Sequence, residues 1–481
     1  MKEKLEAILK SEFGYPTFKT GQKETIESLL AGKDTLAILP TGTGKSLCYQ
    51  FIRKYLKRSV LIVSPLISLM QDQVEQLRYS GEKAVVALNS QLSFAEKRFV
   101  LQNIASFQYI YVSPEMLGSA EVLNALGQLE LGLFVIDEAH CISQWGPDFR
   151  PEYLNLGKIR KKLHEPLTLA LTATATPRVA QDITASLGLA QTGNVIRYPV
   201  DRPNIYLGTQ SFINEPEKLA YLLELLPKLN GKGIIYFSSK KKADEINENL
   251  VTKGFKSAVY HADLELTERF LVQQQFLNDQ LDVICATSAF GMGINKPNIR
   301  YVIHYHMPND LEAYVQEIGR CSRDGKPGIA VLLYEPGDLK RQEFLIEKTL
   351  PNPQQIRYFT KHQELLQNFP SEEMQLLARL LANGYQKDQI ETLVKKRQTE
   401  RNVALQKMHQ YLKTGNCKRQ FIAQYFGDKV ENIHGSGTCC GAGQALPLEK
   451  LGLLGEPAVK VGEINELDYR EILQQLFKET N

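Results

Sequence analysis

Short apolar runs recur along the first 340 residues, separated by stretches whose apolar positions repeat at helical spacing. Runs at 35–39, 60–63, 109–112, 133–136 and 167–171 have the length and β-branched content of strands buried on both faces. Between them lie amphipathic stretches of helix length, such as 68–79. A second series starts near residue 206, with runs at 233–237, 283–286, 301–304 and 329–334. Strand–helix alternation of this kind predicts an α/β fold, with parallel sheets covered by helices on both faces. Two such units in tandem make a bilobed protein with a cleft between the lobes.

The strand signal stops near residue 340. Residues 350–430 read as helical and rich in Leu, Gln, Lys and Arg, with Pro351, Pro353 and Pro370 punctuating the start. Residues 434–455 are rich in Gly and read as loop, and 467–479 as one final helix. The expected organisation is a first lobe at 1–205, a second at 206–340, a small helical domain at 341–443 and a short tail at 444–481.

Composition changes this picture little. With 481 residues, 43% hydrophobic and 23% charged, each unit can bury a core. The net charge of +3 does not announce a nucleic-acid binder, so any electropositive track must be local. Seven scattered cysteines in a long chain suit a reduced compartment better than a disulfide scaffold. The N-terminus lacks an apolar signal segment, and no apolar run approaches the ~18 residues of a membrane span. The expected location is the cytoplasm, in association with the nucleoid, with no membrane partner.

Two motifs carry the chemistry. The run at 35–39 leads into Pro40-Thr41-Gly42-Thr43-Gly44-Lys45-Ser46 and then a helix. Gly42 and Gly44 let backbone amides approach phosphate oxygens, together with Thr41 and Thr43, and the helix N-terminus adds partial positive charge. Lys45 is a point charge for the β- and γ-phosphates of a nucleotide, and the Ser46 hydroxyl suits Mg²⁺. The strict pattern wants glycine six positions before Lys45, where this chain has Leu39. The run at 133–136 ends in Asp137-Glu138-Ala139-His140. Asp137 suits Mg²⁺, and Glu138 suits orienting and deprotonating the attacking water. An ordinary glycine turn and a surface acidic turn are the bland alternatives. The strand context at the carboxyl edge of a parallel sheet argues against both.

These motifs, with others in order, resemble the RecQ family of DNA helicases, a branch of superfamily 2. The similarity runs over about residues 5–335 and more weakly to about 443. It includes Phe13-Gly14-Tyr15, Gly21-Gln22, Ser64-Pro65-Leu66, the stretch 137–153, Thr172 to Thr176, Arg202-Pro203-Asn204, Tyr260-His261-Ala262, the stretch 286–297, and Gln316-Glu317 with Gly319-Arg320 and Arg323-Asp324-Gly325. The resemblance implies two tandem RecA-like lobes followed by a small, mainly helical domain, with ATP and Mg²⁺ as cofactors and single-stranded and partly duplex DNA as partners. It implies Gln22 as the adenine reader, flanked by Tyr15 and by Lys19 where the family has Arg, which stacks better on a base. Gly291 would join the nucleotide site, and His140 would act with the carboxylates. Arg320 and Arg323 would cross the cleft to the γ-phosphate, a finger worth about 10³–10⁵ in rate.

Nucleic-acid contacts are implied at Ser64 and Pro65 and in the loop holding Trp145, Phe149 and Arg150, which in the family couples DNA binding to hydrolysis. An aromatic in such a loop stacks on unpaired bases for about 1–3 kcal/mol. Pro147 stands where the family has His, and Cys321 and Ser322 where it has small Ala and Gly, which predicts tolerance at the latter two. The basic stretch 395–419, including Lys395 and Arg397, falls where the family contacts duplex DNA, although such a run is often only a solvated face.

The family's zinc module is rewritten. Cys417 and the following Tyr425-Phe426-Gly427 match, but of three further cysteine positions only Cys439 is kept, with Cys440 beside it. Either zinc is lost and apolar contacts hold the platform, the favoured reading, or Cys417, His434, Cys439 and Cys440 hold it. About 38 residues follow Gly443, too few for the family's winged-helix or HRDC domains. The expected activity is ATP-dependent DNA unwinding, 3′ to 5′, in recombination or repair. The alternatives are a DNA-stimulated translocase with little strand separation, an inactive nucleic-acid-binding module, and an RNA helicase.

Overall fold

The computed structural model describes residues 2–143, 151–189, 193–291, 296–369, 371–429 and 440–455. Two seven-stranded parallel sheets lie in tandem. The first is built from β1 (Thr35–Ile38), β2 (Val60–Val63), β3 (Val85–Leu88), β4 (Tyr109–Val112), β5 (Leu133–Ile136), β6 (Thr168–Thr172) and β7 (Asn194–Arg197). Their order is β3-β4-β2-β5-β6-β1-β7. The second contains β8 (Ile205–Ser211), β9 (Lys232–Tyr236), β10 (Ser257–Tyr260), β11 (Val283–Ala286), β12 (Ile299–His304), β13 (Gly328–Tyr334) and β14 (Cys440–Ala442), in the order β10-β11-β9-β12-β13-β8-β14.

Both faces of each sheet are covered, which explains the continuous apolar runs. In β2, Leu61 and Val63 enter one core cluster, while Val60 and Ile62 enter another on the opposite face. In β9, Ile234 and Tyr236 pack on one face and Ile235 on the other. The register places Thr35 beside Leu169 of β6, and Val63 of β2 beside Ile136 of β5. β6 therefore lies between β1 and β5, so the loop after β1 and the carboxylates after β5 emerge on one edge with the end of β6 between them.

The C-terminal helical region divides its packing between two cores. Helix Lys387–Lys413 is long and polar on average, and serves two cores. Its later residues Leu405, Met408 and Tyr411, with Ile422 and Phe426 of helix Lys418–Phe426, complete a core of the second lobe. Its earlier residues Ile390 and Val394 pack with Ile356, Phe359, Leu377 and Leu380 in a cluster of their own. The basic stretch read as one helical segment is broken after Lys413, where Thr414-Gly415-Asn416 leads to the next helix.

The reading of 434–455 as loop is corrected in part. Cys440–Ala442 forms β14, an edge strand parallel to β8 with Cys440 opposite Leu207. Three small residues carry no alternation that marks a strand; the neighbouring β8 dictates the pairing. Beyond it, Leu448 and Leu453 are buried in the second lobe. The expected helix at 467–479 lies outside the described residues.

Candidate nucleotide site and nucleic-acid face

The phosphate loop leaves β1 and enters helix Ser46–Leu56. Gly42 and Gly44 take φ of 85° and 70°, a left-handed conformation that glycine adopts without cost. The missing glycine of the motif has a structural explanation. Leu39 is fully buried, and its amide donates to Thr172 O at 3.0 Å, so the strand path continues to this residue. A side chain at Gly21, whose φ is 77°, would fall on Leu39 Cδ2. The glycine requirement is thus met from the facing segment, immediately before Gln22.

Gln22 is buried, and its amide is already engaged. Nε2 donates to Thr43 O at 2.7 Å and Gly44 O at 3.0 Å, while Oε1 accepts from Lys19 N at 2.8 Å. Both N–H donors are used, leaving one Oε1 lone pair for the adenine amino group. Gln22 therefore links the base-reading segment to the phosphate loop. Tyr15 is 53% exposed beside this segment, and Lys19 Nζ reaches Gly42 O at 3.4 Å.

Asp137 and Glu138 follow β5, with Glu138 at φ 46°. Burial and the neighbouring Glu138 push the Asp137 carboxyl up, against Lys45. Burial also raises Glu138, but the His140 ring, Lys45 and Arg320 outweigh it and hold this carboxyl down. His140 Nδ1 lies 3.3 Å from Glu138 Oε2 and 3.0 Å from Thr172 Oγ1. Thr172 Oγ1 donates to Thr174 O, and Thr174 Oγ1 accepts from Gln316 Nε2 of the second lobe at 3.1 Å. A polar relay therefore runs from His140, beside Glu138, across the cleft. Tyr49, buried beneath, interacts with the Ser46 hydroxyl and feels the Asp137 charge. The Ser46 hydroxyl and the Asp137 carboxylate are hard-oxygen donors of the kind Mg²⁺ takes.

The second lobe closes on this loop. Thr41 Oγ1 donates to Gly319 O at 3.1 Å, and Arg202 Nη1 donates to Thr41 O and Gly319 O at 3.2 Å each. Arg323 lies against Gly42, where an added Cβ would stand 3.4 Å from Arg323 Cγ. Arg320 is buried and donates to Gly291 O, an approach that leaves no room for a side chain at Gly291. Burial, then Arg320 and Arg202, push the Arg323 guanidinium down to about 9. Cations crowded on one another in this way are relieved by a polyanion. Sequence reasoning gave no role to Arg202, Thr174 or Gln316; their presence among the ordered motifs was the available signal. Ser322 sits at φ 50°, where the family's glycine has a physical reason. Its hydroxyl, bonded to Ile299 O, Pro327 O and Arg300 Nη1, offsets that strain.

Trp145, Phe149 and Arg150, with Pro147, lie outside the described residues. Ser64 and Pro65 are buried at the end of β2, so neither side chain forms an open face. Lys395 is exposed. Arg397 turns inward, bonded to Ser143 O at 2.6 Å and Glu400 at 2.7 Å, which takes it off the basic face. Cys417 and Cys440 bring their sulfurs to 3.6 Å, while His434 and Cys439 lie outside the described residues. Among the described residues, no group of three or more His, Cys, Asp or Glu side chains is placed to hold a metal.

Comparison with known proteins adds three family models in succession: DEAD/DEAH box helicase at 19–183, helicase conserved C-terminal domain at 217–325 and RecQ zinc-binding at 336–442. A probable ATP-dependent DNA helicase RecS of Bacillus subtilis is 44% identical over 91% of this chain and 91% of its own length. An ATP-dependent DNA helicase RecQ of Pasteurella multocida is 42% identical over 73% of this chain, but only 55% of its own length is matched. The helicase Lhr of Mycobacterium smegmatis, solved with ssDNA and AMP-PNP, superimposes with a TM-score of 0.57 at 19% identity. That match covers 74% of this chain and 52% of Lhr, and shows the shared fold.

Proposed function

The chain belongs to the RecQ family of superfamily 2 helicases, and from this we propose how it works: ATP hydrolysis between the lobes drives 3′ to 5′ movement along single-stranded DNA and separates the duplex ahead. It is an ATP-dependent DNA helicase in kind; the direction, the strand separation and a role in recombination or repair are our reading. The observation that carries the mechanism is the seating of the second lobe on the phosphate loop: Thr41 Oγ1 bonds Gly319 O, one residue before Arg320, and Arg323 lies against Gly42.

Lys45 and the loop amides hold the β- and γ-phosphates. Ser46 and Asp137 would hold Mg²⁺, which would offset the negative charge of the phosphates. Glu138, kept ionised by His140, orients the attacking water and takes its proton. Arg320 and Arg323 stabilise the charge that develops on the transferred phosphoryl group. Because they come from the second lobe, hydrolysis requires closure, and product release permits opening. The Gln22 bonds to Thr43 and Gly44 let occupation of the base site be felt at the phosphate loop.

The exposed Lys395 and Lys396 lend phosphate contacts to the DNA track, and Trp145 and Phe149 stack on unpaired bases. The helical region is held by its apolar contacts and by buried Arg419, bonded to Asp201, Arg202 O and Ile205 O, without zinc. No helix among the described residues is long and apolar enough to cross a membrane; we place the protein with its DNA, in the nucleoid.

ATPase rate with and without single-stranded DNA, and separation of 3′-tailed and 5′-tailed duplexes, tests the reading, with Lys45→Ala as control. Stimulation with unwinding of the 3′-tailed duplex is expected. DNA-independent hydrolysis refutes the coupling, and stimulation without unwinding replaces the helicase reading with a translocase.

A further inference from the structure

The two lobes are joined by a short connection, from Arg197 at the end of β7 to Ile205 at the start of β8. Its main chain is gripped by helix Lys418–Phe426 and the turn after it. Val200 N donates to Asp428 Oδ2 at 2.9 Å. Arg419, buried in that helix, donates to Asp201 Oδ1, to Arg202 O at 3.0 Å and to Ile205 O at 2.6 Å. Pro203 adds a local restraint, since the residue before a proline is pushed away from helical backbone. Arg202 therefore presents its side chain from a fixed base.

That side chain meets four backbone carbonyls. Nη1 donates to Thr41 O and Gly319 O at 3.2 Å each, and Nη2 to Cys321 O at 3.3 Å and Ser322 O at 2.8 Å. Gly319, Cys321 and Ser322 lie in the turn that follows helix Leu311–Ile318 and holds Arg320 and Arg323. Carbonyls at a helix C-terminus lack intrahelical partners, and a cation beside them is favourable. Thr41 O belongs instead to the phosphate loop. A trans peptide is planar, so its C=O and N–H point to opposite sides. Drawing the Thr41 carbonyl toward Arg202 thus turns the Gly42 N–H away from it. Lys19 Nζ takes Gly42 O, and Gln22 Nε2 takes Thr43 O and Gly44 O, so the next peptides of the loop are set from outside in the same manner. Arg202 differs from those two residues in one respect: it binds the loop and the arginine-bearing turn at once. The planar fork of a guanidinium suits this task, because each terminal nitrogen offers two N–H groups in fixed directions.

We infer that Arg202 is a positioning residue for ATP hydrolysis: one guanidinium holds the Thr41–Gly42 peptide of the phosphate loop and the turn bearing Arg320 and Arg323 in a common register. It acts through those groups and not on the reacting atoms. The inference rests on the nucleotide site of the proposed function.

The test uses the full chain carrying Arg202→Met, Arg202→Lys or Asn204→Ala. Asn204 Nδ2 donates to Ser322 O at 3.0 Å and Lys326 O at 2.9 Å, so it supports the same turn without touching the phosphate loop. Two quantities are read: kcat for ATP at saturating oligo-dT, and the dissociation constant of fluorescent ADP, which the first lobe holds without the arginine turn. In Arg202→Met kcat should fall about tenfold or more, while the ADP constant stays within about threefold. Arg202→Lys keeps the charge without the fork and should regain only part of the rate. Asn204→Ala should keep kcat within about threefold. An Arg202→Met protein with kcat within threefold of wild type overturns the inference. So does an Asn204→Ala loss as large as that of Arg202→Met, which marks support of the turn alone, or an ADP affinity that falls as far as kcat, which marks general damage to the site. Should Arg202→Met not fold, Arg202→Lys decides: kcat below a third of wild type with ADP affinity kept supports the inference, and any other result overturns it. A Lys45→Ala protein as active as wild type removes the nucleotide-site reading itself, whatever the Arg202 variants do.

Discussion

Gly319→Ala should disable hydrolysis while sparing nucleotide capture by the first lobe. Gly319 ends helix Leu311–Ile318, one residue before Arg320, and its carbonyl receives the Thr41 hydroxyl of the phosphate loop. A methyl group here would overlap Thr41 Oγ1 outright and would stand 3.0 Å from Thr41 Cβ. Rotating Thr41 clears the first clash only by giving up the bond to Gly319 O. The second remains 0.4 Å inside the 3.4 Å at which ordinary contact begins. With the rotamer kept, the lobes must part by about 1 Å, and a misplacement of about 1 Å costs ~10²-fold in rate. The expected kcat for ATP with saturating DNA is therefore about 10–100-fold below wild type, or roughly 1.4–2.7 kcal/mol of barrier. Affinity for a fluorescent nucleotide, set mostly by the first lobe, should change by less than about threefold. Adding Thr41→Ala removes the overlapping hydroxyl and should recover part of the loss. Steady-state ATPase and equilibrium nucleotide binding suffice as assays. A Gly319→Ala protein with kcat within threefold of wild type would show that the contact between Thr41 and Gly319 is not part of the hydrolytic geometry.

Two further outcomes follow from the structure. Treatment with a zinc chelator should leave both the melting temperature and the ATPase rate unchanged, whereas about one tightly held zinc per purified chain would overturn the zinc-free reading. Asp72 of helix Ile67–Tyr79 accepts a bond across the lobes from Gln273 at 3.4 Å, and burial, opposed by that bond and aided by Glu75, pushes its carboxyl up to about 6. The folded state thus binds this proton more tightly than the unfolded chain, so the charged group destabilises above pH 6 and that cost vanishes as pH falls toward 4. Asp72→Asn should stabilise by on the order of 1 kcal/mol at pH 7.5, after discounting for its partial exposure, and by almost nothing at pH 4.5; an equal gain at both pH values refutes the assignment.

Legibility followed how local each signal is. β2, β4, β5 and β11 matched their apolar runs because strands covered on both faces need continuous hydrophobicity. β7 and β10 did not stand out: the first is a half-exposed edge strand, and the second has four residues and only partial burial. β8 carries Gly208, Thr209 and Gln210 and lacks an uninterrupted run. The phosphate loop and the carboxylates were legible because neighbours in sequence build them. The Arg202 bridge and the relay through Thr172, Thr174 and Gln316 were not, since each joins residues more than 100 positions apart. Arg397 was misplaced on a basic face for a related reason. Charge density marks a surface, but the burial of one member of the run is decided by the facing Ser143 carbonyl.

The small edge strand β14 has a consequence for how the protein is made. Its partner β8 begins at Ile205, and the pairing is supplied by Cys440, 235 residues later. At ~5–20 residues per second, roughly 12–47 s of synthesis separate the two. Throughout that interval the nascent second lobe presents an unpaired strand edge, with Tyr206 and Leu207 beside it, and such an edge is a template for pairing with another chain. A gene shortened to end near residue 340 would make that transient exposure permanent. It would yield a product with both motor lobes encoded but with a sticky margin, prone to associate in the ribosome's wake.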